Sequence, residues 1–193
     1  MSQAATKQAD DKTLFGFWIY ILTDCVLFAC LFATFAVLRF NTFGGPGADE
    51  LFSLPFVFIE TLLLLTSSFV CGMAVLYARV NDKKNTLLML AVTFALGLAF
   101  VGMELSEFSN LVHEGNSWQR SGFLSSFFTL VGTHGLHIAV GLIWILTMGW
   151  LIYRRGLGRN VIRKLLLFSL FWHFLDIVWI FIFTIVYLLG VTL

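Results

Sequence analysis

The chain of 193 residues is 59% hydrophobic and 12% charged, with a mean hydropathy of +0.91, whereas soluble domains carry about 25% charged residues. This composition excludes an ordinary soluble domain and predicts an integral membrane protein. The net charge of +1 gives no indication of a nucleic-acid partner.

Five long hydrophobic stretches follow a polar segment at residues 1–14. Each is long enough to cross a bilayer as an α-helix, which takes about 20 residues, and none shows the alternating pattern of a barrel strand. The predicted spans cover residues 15–38, 55–78, 86–112, 122–152 and 165–190. We therefore predict an all-α membrane protein with a polar, cytoplasmic N-terminal tail at 1–14 and a single five-helix membrane domain at 15–193.

The Lys and Arg residues are distributed very unevenly between the two sides of such a bundle. With the N-terminus inside, ten of the twelve lie on the inner side, and only Arg39 and Arg120 lie outside. Cytoplasmic loops carry an excess of Lys and Arg, so we predict a cytoplasmic N-terminus and a periplasmic C-terminus. The inner residues are Lys7, Lys12, Arg79, Lys83, Lys84, Arg154, Arg155, Arg159, Arg163 and Lys164.

Eight ionisable side chains lie within the predicted spans, where a charged group costs about 2.5–3.5 kcal/mol even on lenient insertion scales. They must therefore face protein. Counting about 1.5 Å of rise per residue places five of them near the middle of the membrane and three in its outer half. The central set is Asp24, His134, His137, His173 and Asp176, and the outer set is Glu60, Glu104 and Glu107.

Three roles compete for these groups. A haem or two-metal centre could use His134, His137 and His173, but the Glu-x-x-His pairs of a carboxylate-bridged di-iron centre are absent from the sequence. A proton or ion pathway could use the carboxylates, although no continuous carboxylate series crosses the inner half. We favour the third role, in which hydrogen bonds between helices fix their register and each contributes about 0.6–2 kcal/mol.

Small and aromatic side chains give further expectations. Ala91, Ala95 and Ala99, spaced by four residues, are expected to form a helix-packing face, as are Gly135 and Ala139. The cysteines lie in apolar stretches without metal-ligand spacing and are interpreted as small core residues. Trp118, Trp150 and Tyr153 fall where interfacial anchors belong. The three cysteines are Cys25, Cys30 and Cys71.

Several strings together carry a family resemblance that covers nearly everything after residue 14. The strings GTHGLH at 132–137 and FWHFLDIVWI at 171–180 are the most specific, and GMELSEF at 102–108 and PFVFIET at 55–61 accompany them. The chain resembles subunit III of haem-copper terminal oxidases. It is most similar to the five-helix form found in cytochrome bo-type ubiquinol oxidases, because it lacks the two extra N-terminal helices of seven-helix members.

The resemblance implies an accessory chain without a cofactor of its own, in a complex that oxidises quinol, reduces dioxygen to water and pumps protons. Haem and copper are expected in subunit I, and quinol on other chains. The implied partners are subunits I and II, a small subunit IV and membrane phospholipids, in a bacterial inner membrane. The resemblance also implies a structural or modulatory role for the matching polar positions Glu60, His134, His137, His173 and Asp176.

Two other assignments remain open from the sequence. Similar five-helix chains accompany cytochrome c oxidases and nitric oxide reductases, so the electron donor is not fixed by this chain. A stand-alone proton or ion transporter, using Glu60, Glu104 and Asp176 as a relay, is the alternative from a different functional class.

Overall fold

A computed structural model describes the backbone of residues 3–192 and the side chains of residues 12–48 and 51–191. This part of the chain is helical, without strands. The long helices are α1 (Gln3–Leu38), α3 (Leu54–Arg79), α4 (Lys83–His113), α5 (Gly122–Arg155) and α6 (Arg159–Ile182). A short helix α2 (Ala48–Leu51) precedes α3, and α6 continues through a π-helical segment (Phe183–Leu188) into α7 (Leu189–Thr192).

Five helical segments are long and apolar enough to span a membrane, which confirms the predicted bundle. The spans are Lys12–Leu38, Leu54–Arg79, Lys83–His113, Gly122–Arg155 and Arg159–Val191. Helix α1 begins at Gln3, well before the predicted start at residue 15, and α6 begins at Arg159, six residues before the predicted start at 165. Hydropathy marks only the apolar part of a helix, so helical turns made of polar residues extend past it.

The helix ends follow ordinary capping chemistry. The Asp82 side chain accepts a hydrogen bond from the backbone N–H of Asn85 at the start of α4, and the Ser121 hydroxyl accepts one from Leu124 at the start of α5. Pro55 lies in the first turn of α3. Gly156 ends α5 with a φ of +72°, a conformation that favours glycine.

The two ends of the bundle differ in charge. The loop between α3 and α4 and the loop between α5 and α6 lie together at one end, because Lys83 donates a hydrogen bond to the carbonyl of Tyr153 at 3.0 Å. Arg79, Arg155 and Arg159 lie at the termini of the same helices, and we call this side the basic end. The long loop after α1 lies at the opposite end, where the Phe123 N–H bonds to the Asn41 carbonyl.

Helix α6 packs against α1, α3 and α5. Trp172 of α6 is the main wedge. Its ring fits between two glycines, since a Cβ atom added at Gly97 of α4 or Gly141 of α5 would lie 3.0 Å or 2.7 Å from the indole. Its Nε1 donates to Ser67 of α3 at 3.1 Å. One buried side chain therefore joins four helices.

Some expected packing faces point outward instead. Ala91, Ala95 and Ala99 are exposed, so the predicted packing stripe on α4 is wrong for contacts within this chain. Cys25 and Cys30 are likewise exposed on α1, and only Cys71 is buried. The close approach of α4 to its neighbours uses Gly97 and the larger residues on its other face, which spacing alone did not identify.

The expected interfacial aromatics lie on the surface. Trp118 is 54% exposed at the opposite end, and Trp150 and Tyr153 are 63% and 70% exposed at the basic end. Trp172 and Trp179, by contrast, are fully enclosed. The tryptophans therefore divide into exposed ones near the ends of the bundle, which suit interfacial anchors, and buried ones in its core.

Candidate functional site within the helix bundle

Three carboxyl groups, two of them buried and one half-buried, gather between α3 and α4. We call them the carboxyl cluster: Glu60, Glu104 and Glu107. Glu60 is completely buried and Glu104 is 3% exposed. Glu104 and Glu107 both lie within electrostatic range of Glu60. The outer-half carboxylates predicted from depth therefore share one location.

The π-helical segment after α6 brings a tyrosine to this cluster. The Tyr187 hydroxyl donates a hydrogen bond to Glu107 Oε2 at 2.8 Å, and the ring is completely buried. Isolated π-helical turns in α-helices occur frequently at functional sites. No helical periodicity in the sequence predicts this contact, because the π-turn shifts Tyr187 relative to the regular helical register.

The Glu104 carboxyl depends on a glycine of α5. A Cβ atom placed on Gly135 would lie 2.5 Å from Glu104 Oε1, a distance that real Cβ contacts do not show. Gly135 was predicted to form part of a packing face, and it does so by leaving space for this carboxyl group.

Much of the cluster has no hydrogen-bond partner in the described part of the chain. Both carboxyl oxygens of Glu60 and one of Glu104 are buried and unpaired there. Buried polar atoms are nearly always bonded to protein or ordered water, and an unpaired one costs about 1–3 kcal/mol. The unpaired carboxyl oxygens of the cluster therefore lower the free energy of unfolding of the bundle.

The histidines lie in three different surroundings. His134 is completely buried, stacked on Trp179 with ring centroids 5.2 Å apart and edge-on to Phe100. Neither of its ring nitrogens has a partner among the described residues.

His137, one turn further along α5, faces α1. Its Nδ1 donates to the Thr133 carbonyl at 2.7 Å, and its Nε2 lies 3.8 Å from Asp24 Oδ2. That separation is too long for a hydrogen bond, so Asp24 and His137 are neighbours between α1 and α5 without a direct bond.

His173 of α6 meets α3 through a serine. Ser68 Oγ lies 2.6 Å from His173 Nδ1, and Asp176 lines the same outer surface as these two side chains. The hydrogen-bond partner of His173 on α3 is therefore a serine. His173 and Asp176 remain partly exposed on the outside of the bundle.

The eight predicted side chains therefore fall into separate groups. Among the described residues, no three His, Cys, Asp or Glu side chains are placed to hold a metal ion together. The convergence of His134, His137 and His173 that a haem or two-metal centre needs is absent from this part of the chain.

Sequence reasoning missed the neutral hydrogen bonds that join α6 to α3. Trp179 Nε1 donates to Thr61 at 3.1 Å, one layer away from the bond between Trp172 and Ser67. The spacing of seven residues puts Trp172 and Trp179 on the same side of α6, whereas Thr61 and Ser67, six residues apart, do not share a face of α3 by spacing alone. The two tryptophans were the available signal, and such a spacing is too common among membrane helices to identify a hydrogen bond.

Comparison with known proteins identifies relatives along nearly the whole chain. The family model described as cytochrome c oxidase subunit III matches residues 2–191. The chain is 54% identical to a cytochrome bo(3) ubiquinol oxidase subunit 3 from Pseudomonas aeruginosa, over 93% of this chain and 86% of that protein. It is 48% identical to a cytochrome c oxidase subunit 3 from Bacillus sp. strain PS3, over 96% and 89%. A quinol oxidase subunit 3 from Bacillus subtilis is also 48% identical, over 92% and 87%.

Proposed function

The chain belongs to the cytochrome c oxidase subunit III family, and from this premise we propose that it is the accessory subunit III of a proton-pumping quinol oxidase. In this assignment it stabilises the catalytic subunit I. Quinol oxidation, dioxygen reduction and the haem and copper centres belong to the other chains. The observation that carries the proposal is the 54% identity to a ubiquinol oxidase subunit 3 over 93% of the chain.

The placement of the histidines supports an accessory role without a cofactor. His134 is enclosed by aromatic rings, His137 turns towards α1, and His173 lies against α3. A shared metal or haem would require side chains from these separate surroundings to converge. A role in helix packing requires only the contacts that each already makes.

The electron donor is assigned from the names of relatives. The proteins from P. aeruginosa and B. subtilis are named as quinol oxidase subunits, whereas the one from Bacillus sp. strain PS3 is named as a cytochrome c oxidase subunit. The higher identity to the bo(3)-type subunit favours quinol, and cytochrome c is the second candidate donor.

The basic end is assigned to the cytoplasm of a bacterial cell, so that the chain is a multi-pass protein of the inner membrane with its C-terminus in the periplasm. Arg79, Lys83, Arg155 and Arg159 all lie at this end. The positive-inside rule supports the orientation.

A groove between α1 and α6 at the basic end is proposed as a phospholipid site. It has a volume of about 550 Å³ and is lined by Leu14, Ile162 and Leu166, with Arg159 and Arg163 beside them. Apolar walls suit an acyl chain, and guanidinium groups suit a phosphate.

The assignment is tested by purifying the tagged chain from its native membrane in mild detergent. We expect a larger haem-bearing subunit to copurify, with quinol-dependent oxygen consumption. Oxygen consumption with reduced cytochrome c and none with quinol would identify cytochrome c, and not quinol, as the electron donor. Stoichiometric haem on the isolated chain would overturn the cofactor-free assignment. Ion flux by the isolated chain in liposomes, abolished in Glu60→Gln, would instead identify a transporter.

A further inference from the structure

A second groove runs along the outside of the bundle between α3 and α6, and we call it the α3–α6 groove. It has a volume of about 550 Å³ and is lined by Leu65, Ser68, Phe69, Gly72, His173 and Asp176. Its rim is apolar, with Phe69 70% exposed and Leu65 40% exposed. Its floor is polar, because Ser68 and His173 are hydrogen-bonded to each other there and Asp176 lies beside them.

The polar floor lies far from either end of the span. Asp176 is roughly central in the span Arg159–Val191, which has 33 residues. At about 1.5 Å per residue, more than 20 Å of helix separates Asp176 from each end of this span, which places it near the middle of a hydrocarbon core about 30 Å thick. Lipid headgroups do not reach this depth, and acyl chains offer no hydrogen bonds. Polar side chains at such a depth normally face protein or a water-filled cavity.

The contacts within the chain leave part of this polar set unused. Ser68 occupies Nδ1 of His173, so the second ring nitrogen, Nε2, remains for another partner. The Asp176 carboxyl lines the same groove, and its buried oxygen Oδ1 has no hydrogen-bond partner in the described part of the chain. A carboxylate only accepts hydrogen bonds, so the groove is best matched by a donor.

Space for a close approach exists beside these acceptors. A Cβ atom added at Gly72 would meet only His173 Nε2, at 4.0 Å, and nothing nearer. Small residues let helix backbones approach one another in a membrane, where side-chain hydrogen bonds between helices are formed. Elsewhere, α4 exposes apolar side chains such as Leu98 and Leu105, at 52% and 62%, which suit lipid.

We propose that the α3–α6 groove receives a transmembrane helix of another subunit, which inserts a hydrogen-bond-donating side chain between His173 and Asp176. The proposal rests on the assignment of this chain to a multisubunit oxidase. A second copy of this chain is a poorer match, because a symmetric contact would set two grooves of the same polarity, each with an acceptor carboxyl, against one another. Complementary polarity therefore selects a different polypeptide.

Photo-crosslinking in native membranes tests which molecule fills the groove. A benzophenone amino acid replaces Phe69 at the rim of the groove, and in a matched control it replaces Leu98, an exposed apolar residue of α4 outside the groove. We expect the probe at position 69 to form an adduct with another membrane subunit and the control to label lipid. Adducts only with lipid, or only with a second copy, in a complex that still copurifies would overturn the proposal and leave the oxidase assignment intact. Absence of any copurifying oxidase subunit would count against the assignment itself.

A second measurement tests the polar contact. Asp176→Leu is compared with Thr66→Val, which also removes a polar side chain from the membrane but one that bonds only to its own helix. Hydrogen bonds between membrane helices contribute about 0.6–1.7 kcal/mol, so Asp176→Leu is expected to lower retention of the crosslinked subunit by about 3- to 18-fold after stringent washing. Asp176→Asn keeps an acceptor oxygen and is expected to retain more. Wild-type retention in Asp176→Leu would refute the polar contact. If the Asp176→Leu variant fails to accumulate, the crosslink from position 69, in a groove that is otherwise unaltered, decides whether another subunit fills the groove.

Discussion

The fit of Trp172 between two glycines leads to a quantitative prediction for Gly141→Ala. The new Cβ atom would lie 2.7 Å from one indole carbon of Trp172 and 3.0 Å from another, whereas carbon atoms pack best at about 3.5–4.0 Å. Phe171 also lies close, at 3.3 Å. The indole has little room to move, because it is 1% exposed and held by its bond to Ser67.

The expected net effect of Gly141→Ala is a loss of about 2 kcal/mol. Overpacking of a tight core costs about 1–3 kcal/mol, and a contact this short belongs at the upper end. Replacing glycine by alanine in a helix returns up to about 1 kcal/mol. In domains of 150–250 residues, 1 kcal/mol corresponds to about 2–4 °C, so the apparent unfolding temperature should fall by about 4–8 °C.

The assay heats detergent extracts of membranes and measures the fraction of epitope-tagged chain that stays soluble. Gly149→Ala is the matched control, because it lies on the same helix and a Cβ atom there has no neighbour within 4 Å. The unfolding temperature of the Gly149→Ala variant should stay the same or rise. Trp172→Phe removes the outer ring atoms, so adding it to Gly141→Ala should cost less than the sum of the two single changes, with a coupling of about 0.5–3 kcal/mol. If the two single changes add exactly, or if the Gly141→Ala variant is as stable as the parent, the tight contact between the Trp172 indole and Gly141 is refuted.

Three further predictions concern the carboxyl cluster and the orientation. Glu60→Leu should raise the free energy of unfolding by about 1–3 kcal/mol, because it removes an unpaired buried carboxyl; destabilisation in the same heating assay would show that water or another group bonds to Glu60. Tyr187→Phe should lower stability by about 0.6–1.7 kcal/mol through loss of the bond to Glu107, with exposed Tyr153→Phe as the neutral control, and equal behaviour of the two variants would contradict the bond. Alkaline phosphatase fused after Leu193 should be active, since that enzyme works only in the periplasm; an inactive phosphatase together with a fluorescent cytoplasmic reporter at the same position would reverse the orientation.

The number of spans and the depth of the polar groups could be predicted from sequence because both depend on one-dimensional quantities. A run of apolar residues sets the span, and counting residues at a fixed rise sets the depth. Depth alone placed Glu60, Glu104 and Glu107 in one layer, and the structure places them in one cluster.

Which way a helix faces could not be obtained in the same manner. A stripe of small residues favours close packing but does not say against what, and Ala91, Ala95 and Ala99 point outward. Ser68 could not be assigned to His173 because that contact depends on the relative height of α3 and α6. The bond from Tyr187 depends on a π-helical turn, which no periodic pattern predicts.

The polar side chains of this membrane domain divide by enclosure, and the division separates two kinds of effect. Glu60 and His134 are completely buried, so no outside chain can touch them, and changing them acts on the bundle itself. His173 and Asp176 open into a groove on the outside, so changing them acts on whatever occupies that groove. It follows that Glu60→Leu should change the unfolding temperature while partner retention stays the same. Asp176→Leu should reduce partner retention more than it reduces the stability of the chain. A single shared role in helix packing would instead make the two measurements change together in both variants.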